Sequence, residues 1–261
     1  MVADTGDIND RMARAQAAWS ARRHGEALDI WAPLAHEGVA RAQSNMGAAF
    51  LEGTGVARDH EKAVTWLKLA ADQGDAGGQR NLALCYYEGW GVPQDHAQAA
   101  AWYEKAAEQN DADAQDMISY MKLVGGGIET DYEGARKWAE KAAKFGRTEA
   151  MARLGDIFHN ALGIERNPHM AVAWWRQAAM MEHAEAQAML GASYLTGQGI
   201  PEDRIEALHW LIRAEKGGAG ELAAGFLSEA RAGMQLVDRT EAARRAAAPL
   251  PKSQGARPPA G

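Results

Sequence analysis

An all-α solenoid of antiparallel helix pairs is the fold class this sequence predicts, on three observations. Trp66, Trp102, Trp138, Trp174 and Trp210 recur at one interval of 36 residues. Two alanine columns (Ala63, Ala99, Ala135, Ala171, Ala207 and Ala70, Ala106, Ala142, Ala178, Ala214) and a glycine column (Gly55, Gly91, Gly127, Gly163, Gly199) keep the same phase without a gap. Each unit splits into two stretches of helical periodicity around a glycine loop. A fixed period of about 20 to 50 residues marks stacked units, each of which needs its neighbour to bury its apolar face.

The repeats span 39–74, 75–110, 111–146, 147–182 and 183–218. Ahead of them a polar helix is expected at about 7–22, then His24-Gly25 as a shortened loop. Ala27, Leu34, Ala35 and Gly38 match second-helix columns, so 1–38 reads as an N-terminal capping pair. Within 39–74, Ala42, Met46, Phe50 and Leu51 form one stripe between Ala40 and Glu52, which defines helix A. Gly53, Gly89, Gly125 and Gly197 then suit the left-handed position after a helix end, where a side chain costs about 1 kcal/mol. The fourth repeat has Ala161 there, so its helix A is expected to end differently.

After the second glycine of each loop comes an aliphatic residue, Val56, Val92, Ile128, Ile164 or Ile200, suited to plugging the gap between helices. Asp59, Asp95, Asp131, Asn167 and Asp203 then offer N-caps to helix B, each worth about 1 kcal/mol. Gln98 and Glu206 sit where a capping box wants them, and Pro168 takes a first helical position where its missing N–H is harmless. Ala63, Trp66, Leu67, Ala70 and Ala71 make the buried stripe of helix B, with the tryptophan ladder expected inside the array. Loss of a fully buried ladder indole costs about 3 to 5 kcal/mol. Helix B is expected to close at Gly74, Asn110, Gly146 or Gly218, with Glu182 the exception. Gly233, Leu236 and Ala243 keep the phase beyond the last full repeat, but Ala246 replaces the tryptophan. Residues 219–248 thus read as a partial capping repeat and 249–261 as a disordered tail.

Composition narrows the function. The net charge is −7, and five basic residues lie from Arg239 onward, so the body is more acidic still. An acidic body repels phosphate backbones, which argues against nucleic acid as a partner. The single cysteine, Cys85, shares a column with Ala49, Met121, Ile157 and Ser193 and reads as a packing residue in a reducing compartment. The N-terminus lacks the apolar run of a signal peptide, and nothing later has the length of a membrane span. The expectation is a soluble cytoplasmic protein, or a periplasmic or secreted one if the chain is a processed form.

The columns A-x-x-x-L-G, then aromatic-x-x-G-x-G-V, then D-x-x-x-A-x-x-W-x-x-x-A-A-x-x-G resemble the Sel-1-like repeat, a relative of the tetratricopeptide repeat with a longer inter-helix loop. The resemblance covers about 24–248. It implies a right-handed superhelix with helix A lining a concave face. It also implies a non-enzymatic adaptor or scaffold, often in bacterial signalling, envelope regulation or host interaction, with no cofactor. The third repeat departs from the pattern, with Ile118-Ser119 for the Leu-Gly pair and Lys122 for the aromatic residue.

Subtracting the packing columns leaves the helix A positions that vary. They are Arg41, Ser44, Ala48 and Glu52 in the first repeat, and Arg80, Leu84 and Glu88 in the second. The third contributes Asp113, Asp116, Tyr120 and Val124, the fourth Glu149, Asp156 and Asn160, and the fifth Glu185 and Thr196. Positive charge early and acids around Tyr120 suit a protein segment with basic side chains, anchored by aromatic and aliphatic contacts. A solvated acidic face is the competing reading. Reversing Asp113, Asp116 and Asp156 to lysine is then expected to weaken partner capture without changing thermal melting.

Catalytic and metal motifs find little support. Ser119 and Lys122 spell S-x-x-K, but Ser119 occupies the small-residue column of Gly47, Ala83, Gly155 and Gly191, and the chain has no K-T-G or S-D-N. Gly125-Gly126-Gly127 reads as an inter-helix loop, and the eight histidines show no metal-ligand spacing. His60 and His96, equivalent in adjacent repeats, read as surface residues at helix starts.

Overall fold

A computed structural model describes residues 5–251. Among them the chain forms fourteen α-helices and no strand. They are α1 (Thr5–Ser20), α2 (His24–His36), α3 (Ala40–Glu52), α4 (His60–Asp72), α5 (Ala76–Glu88), α6 (His96–Glu108), α7 (Ala112–Val124), α8 (Tyr132–Lys144), α9 (Thr148–Asn160), α10 (Pro168–Met180), α11 (Ala184–Thr196), α12 (Arg204–Lys216), α13 (Gly220–Arg231) and α14 (Leu236–Ala247). The chain is an all-α solenoid of helix pairs. It divides into two compact units, Met1–Glu129 and Thr130–Gly261. The division falls inside the third repeat, in the loop that carries Gly125-Gly126-Gly127.

The second helix of each full repeat begins at the residue after its predicted cap. Asp59 Oδ1 accepts from Lys62 N at 3.0 Å, Asp95 from Gln98 N at 2.9 Å and Asp131 from Gly134 N at 2.8 Å. Asn167 accepts from Met170 N, and Asp203 from Ile205 N and Glu206 N. These bonds satisfy amides that a helix start leaves without partners. The capping box at Glu206 is corrected, because its carboxylate turns away to Arg245 and His209.

Helix ends follow the glycine columns with two corrections. Gly53, Gly89, Gly125 and Gly197 are left-handed, as expected. Ala161 does not end its helix differently, however, and adopts φ 57 in the same position. Glu182 likewise takes φ 68 at the end of the fourth repeat. Both residues accept a conformation in which Cβ crowds the following carbonyl. At the N-terminus the expected loop at His24-Gly25 is the first turn of α2, because Arg22 (φ 60) makes the reversal earlier.

Burial within helix B is graded. The column after the ladder, Leu67, Tyr103, Ala139, Trp175 and Leu211, is almost wholly excluded from solvent. Of the ladder, Trp174 and Trp210 are buried, but Trp66, Trp102 and Trp138 are half-exposed. Lys105 Nζ lies 3.7 Å from the Trp102 ring centroid and Lys141 Nζ 3.8 Å from that of Trp138. The Trp102 and Trp138 rings are thus covered by cations, and the Trp66 ring meets His36 at 76° with centroids 5.0 Å apart. Small helix A residues admit the buried column. A Cβ at Gly47 would lie 2.6 Å from Leu67 Cγ, and one at Gly155 2.3 Å from Trp175 Cδ1.

A recurrent glutamine bonds four of the five repeats to the helix before, and the fourth repeat has buried Met151 in its place. Gln43 Nε2 donates to Ala35 O at 3.0 Å, Gln79 to Ala71 O at 3.3 Å, Gln115 to Ala107 O at 3.1 Å and Gln187 to Ala179 O at 3.1 Å. Every acceptor is a last-turn carbonyl of the preceding helix B that also accepts the backbone N–H of Gly38, Gly74, Asn110 or Glu182, so the glutamine supplies its second bond. The loops add a second stitch. His96 Nδ1 donates to Gly126 O at 2.5 Å and His169 Nδ1 to Gly199 O at 3.0 Å, which places these histidines against the next repeat's loop.

At the C-terminal end α14 packs on α12 through buried Ala242 and Ala246. Arg213 donates to the carbonyls of Arg245 and Ala248, closing that helix end. Leu236 no longer plugs a loop and is 80% exposed. Of the tail expected to be disordered, Leu250 rests against the hydrophobic cluster around Trp174 and Trp210, while 252–261 lie outside the described residues.

Candidate functional site

In unit 1 the helix A stripe runs over α3, α5 and α7, and its charges are sorted by what lies beside them. Arg41 is exposed and pairs with Asp75 Oδ2 at 3.7 Å. Arg80 pairs with Asp111 at 2.7 Å and Asp113 at 3.6 Å. Asp75 and Asp111 are the N-caps of α5 and α7, so each arginine reaches the start of the next helix A. The early positive charge is therefore neutralised within the unit. Ser44 is buried rather than presented on the stripe.

Glu52 and Glu88 have no ion-pair partner among the described residues. The Glu52 carboxylate accepts from Thr54 Oγ1 at 3.2 Å, while Arg58 Nη2 donates to the Glu52 backbone carbonyl at 3.3 Å. Arg58 thus caps the C-terminal end of α3, where the helix dipole favours a cation.

Beside Glu52 lies a groove of about 320 Å³. Ala48 and Leu51 of α3 and Leu84 of α5 give it an apolar lining, and Asn81 adds an amide. Its far side carries Trp90 and His60, stacked with ring centroids 5.2 Å apart and planes at 24°. Trp90 is 37% exposed and sits between Gly89 (φ 75) and Gly91 (φ 69). A Cβ at Gly91 would lie 2.3 Å from His60 O, so the loop lies directly on the first turn of α4. Further along, Tyr87 stacks on His96 and hydrogen-bonds the exposed Tyr120. Burial, reinforced by Tyr120 and Glu88, raises the Tyr87 phenol above its usual range.

In unit 2 the same columns carry acids with other duties. Asp156 is half-buried, and its Oδ1 accepts from Trp175 Nε1 at 3.1 Å. Burial raises its pKa, and the Trp175 bond opposes the rise. Reversing Asp156 therefore removes an internal bond, which corrects the expectation that melting would be unaffected. Glu149 is held below the usual carboxylate range by its own backbone N–H and by the Thr148 hydroxyl at 3.0 Å, against some burial. Glu185 approaches His183 Nδ1 at 3.4 Å, but that nitrogen already accepts from Ala186 N, so the contact is not an ion pair. Asn160 and Thr196 are exposed, and Asp116 in unit 1 is half-buried.

The reactive-looking groups pack away. Ser119 is fully buried in α7, Lys122 pairs with Glu104 at 3.4 Å, and burial pushes the Cys85 thiol up to about 12.

The Sel1 repeat pattern matches residues 40–75, 76–111, 112–144, 148–183 and 184–218, more than half of the chain. The chain belongs to the Sel1 repeat family. It is similar to the crystal structure of a Sel1 repeat protein from Oxalobacter formigenes, with 29% identity, a TM-score of 0.79, and coverage of 94% of this chain and 99% of that one. A Sel1 repeat protein from Klebsiella pneumoniae matches at 21% identity and a TM-score of 0.48, over 77% of this chain and 98% of that one. A protective antigen of uropathogenic Escherichia coli matches at 20% identity and a TM-score of 0.39, over 92% and 68%. No curated protein matches the chain.

Sel1 repeat proteins generally mediate protein–protein interaction, and the fold is typically a non-catalytic scaffold. No described helix is long and apolar enough to cross a membrane. Against the repeat, one groove residue stands out that reasoning over helix A missed. Trp90 shares its loop column with Thr54, Gly126, Leu162 and Gln198. A lone indole in a column with no other aromatic residue, off the ladder, was the available signal.

Proposed function

We propose that this Sel1 repeat chain is a cytoplasmic adaptor of bacterial regulatory type that binds a basic segment of a protein partner on its helix A face, the concave side of the array. The carrying observation is the imbalance in unit 1, where Arg41 and Arg80 are bound to aspartates while Glu52 and Glu88 have no cation partner among the described residues. Uncompensated carboxylates beside Leu84 and Tyr120 select cations and repel acidic competitors. Asp113, which shares Arg80 with Asp111, and half-buried Asp116 lie on the same stripe, and Glu149, Asn160 and Glu185 form the corresponding stretch of unit 2. Asp156 is left to its bond with Trp175.

Crosslinking mass spectrometry in the native cell tests this reading. Adducts between one partner's lysine-rich segment and α3, α5 or α7 are expected. A partner crosslinked only to helix B surfaces overturns it.

A further inference from the structure

We infer that the groove between α3 and α5 reads a two-part motif in an extended segment: an aliphatic or aromatic side chain laid against Trp90, and a lysine or arginine beside it held by Glu52 and Glu88. The inference rests on the adaptor reading and deepens it. Trp90 is 37% exposed on the inter-helix loop rather than on helix B, and it is held in place. Its backbone N–H donates to Cys85 O at 2.9 Å, two left-handed glycines fix the loop, and His60 supports one ring face. A pre-placed aromatic loses little freedom when a partner covers it.

The groove has the volume of about ten waters at about 30 Å³ each, enough for one large side chain and its backbone. Leu51, Leu84 and Ala48 give that side chain an apolar bed, and the Asn81 amide can serve the partner's peptide group. Charge then selects the neighbour. Glu52 borders the groove and Glu88 lies one helical turn beyond Leu84, both exposed. Arg58 also lines the groove, with its guanidinium turned to the Glu52 backbone carbonyl at the negative end of the α3 dipole. That bond leaves its charge in place, so the preference for a basic neighbour rests on Glu52 and Glu88 together outweighing the one cation.

Fluorescence anisotropy on the full chain tests this with labelled, end-blocked octapeptides in a Gly-Ser background, carrying Leu-Lys-Lys, Ser-Lys-Lys or Leu-Glu-Glu. At about 0.15 M salt the Leu-Lys-Lys peptide is expected to bind at least about tenfold tighter than either control. Trp90→Ala and the pair Glu52→Gln/Glu88→Gln should each weaken it by a similar factor, while Trp90→Phe retains most of the affinity. Equal binding of Ser-Lys-Lys, no loss in Trp90→Ala, or no binding of Leu-Lys-Lys overturns the inference. If these peptides fail while a native partner still crosslinks to helix A, the groove falls and the adaptor reading stands. If no partner reaches helix A, both fall.

Discussion

The helix A stripes of the two units occupy the same repeat columns and use their acids in opposite ways. In unit 1 the arginines are spent on N-cap aspartates, leaving Glu52 and Glu88 uncompensated beside an apolar groove and an exposed indole. In unit 2 Asp156 turns inward to Trp175, and Glu149 is satisfied by its own backbone and Thr148. A variable position in a repeat is thus no sufficient sign of a binding residue. Trp175 fills the place of Leu67 and Leu211, and Asp156 stands opposite it as the acceptor that the indole N–H requires.

The comparison breaks most visibly at the indoles themselves. Trp175→Ala is expected to destabilise the fold by about 3 to 5 kcal/mol, whereas half-exposed Trp102→Ala should lose less than about 2 kcal/mol. Chemical denaturation of both variants checks this, and equal losses would remove the distinction between the two columns.

Gly155→Ala comes next. Its Cβ would meet Trp175 at 2.3 Å, for an expected loss of about 1 to 3 kcal/mol. Gly225→Ala, with nothing within 4 Å of the added carbon, should instead stabilise α13 by up to about 1 kcal/mol.

Titration separates Asp156 from the paired acids. Its folded pKa is raised, so the native state holds the extra proton between the unfolded value near 3.8 and the folded one, and stability falls as pH rises through that window. Asp156→Asn keeps an oxygen for Trp175 and removes the titration. It should gain stability over the parent as pH climbs above about 4, measured by thermal melting across the acid range. Glu149 behaves oppositely, because its depressed pKa makes its contribution disappear as pH falls below its ordinary 4.5. The smallest effect is expected at Ala161→Gly, which relieves a left-handed alanine and should gain up to about 1 kcal/mol.

The repeat architecture was legible in the sequence because packing forces the same residue into the same column. Caps at Asp59, Asp95, Asp131, Asn167 and Asp203 follow directly from a short acceptor ahead of a helical stripe. Ala161 was misread because local propensity was given more weight than the context that holds the loop. The glutamine column recurs in four repeats and is broken by Met151, and its role depends on the last-turn carbonyls it reaches, which no local pattern reveals. The site was less legible. Arg41, Arg80 and Asp156 vary like ligand-binding residues, yet their partners lie 34, 31 and 19 positions away. Trp90 lies on the inter-helix loop, away from the variable columns of helix A.

Gln94 and Arg166 share one column, in unit 1 and unit 2 respectively, both exposed, with Gln94 packed beside the loop that carries Trp90, and a photo-crosslinking residue at each site gives the most direct test of the central claim. With p-benzoylphenylalanine placed at 94 or at 166 in otherwise identical full-length chains in the native cell, a single partner adduct is expected from position 94, lost on Trp90→Ala, and none from position 166. An adduct from 166 alone, or one from 94 that survives Trp90→Ala undiminished, contradicts the assignment of partner selection to the groove of unit 1.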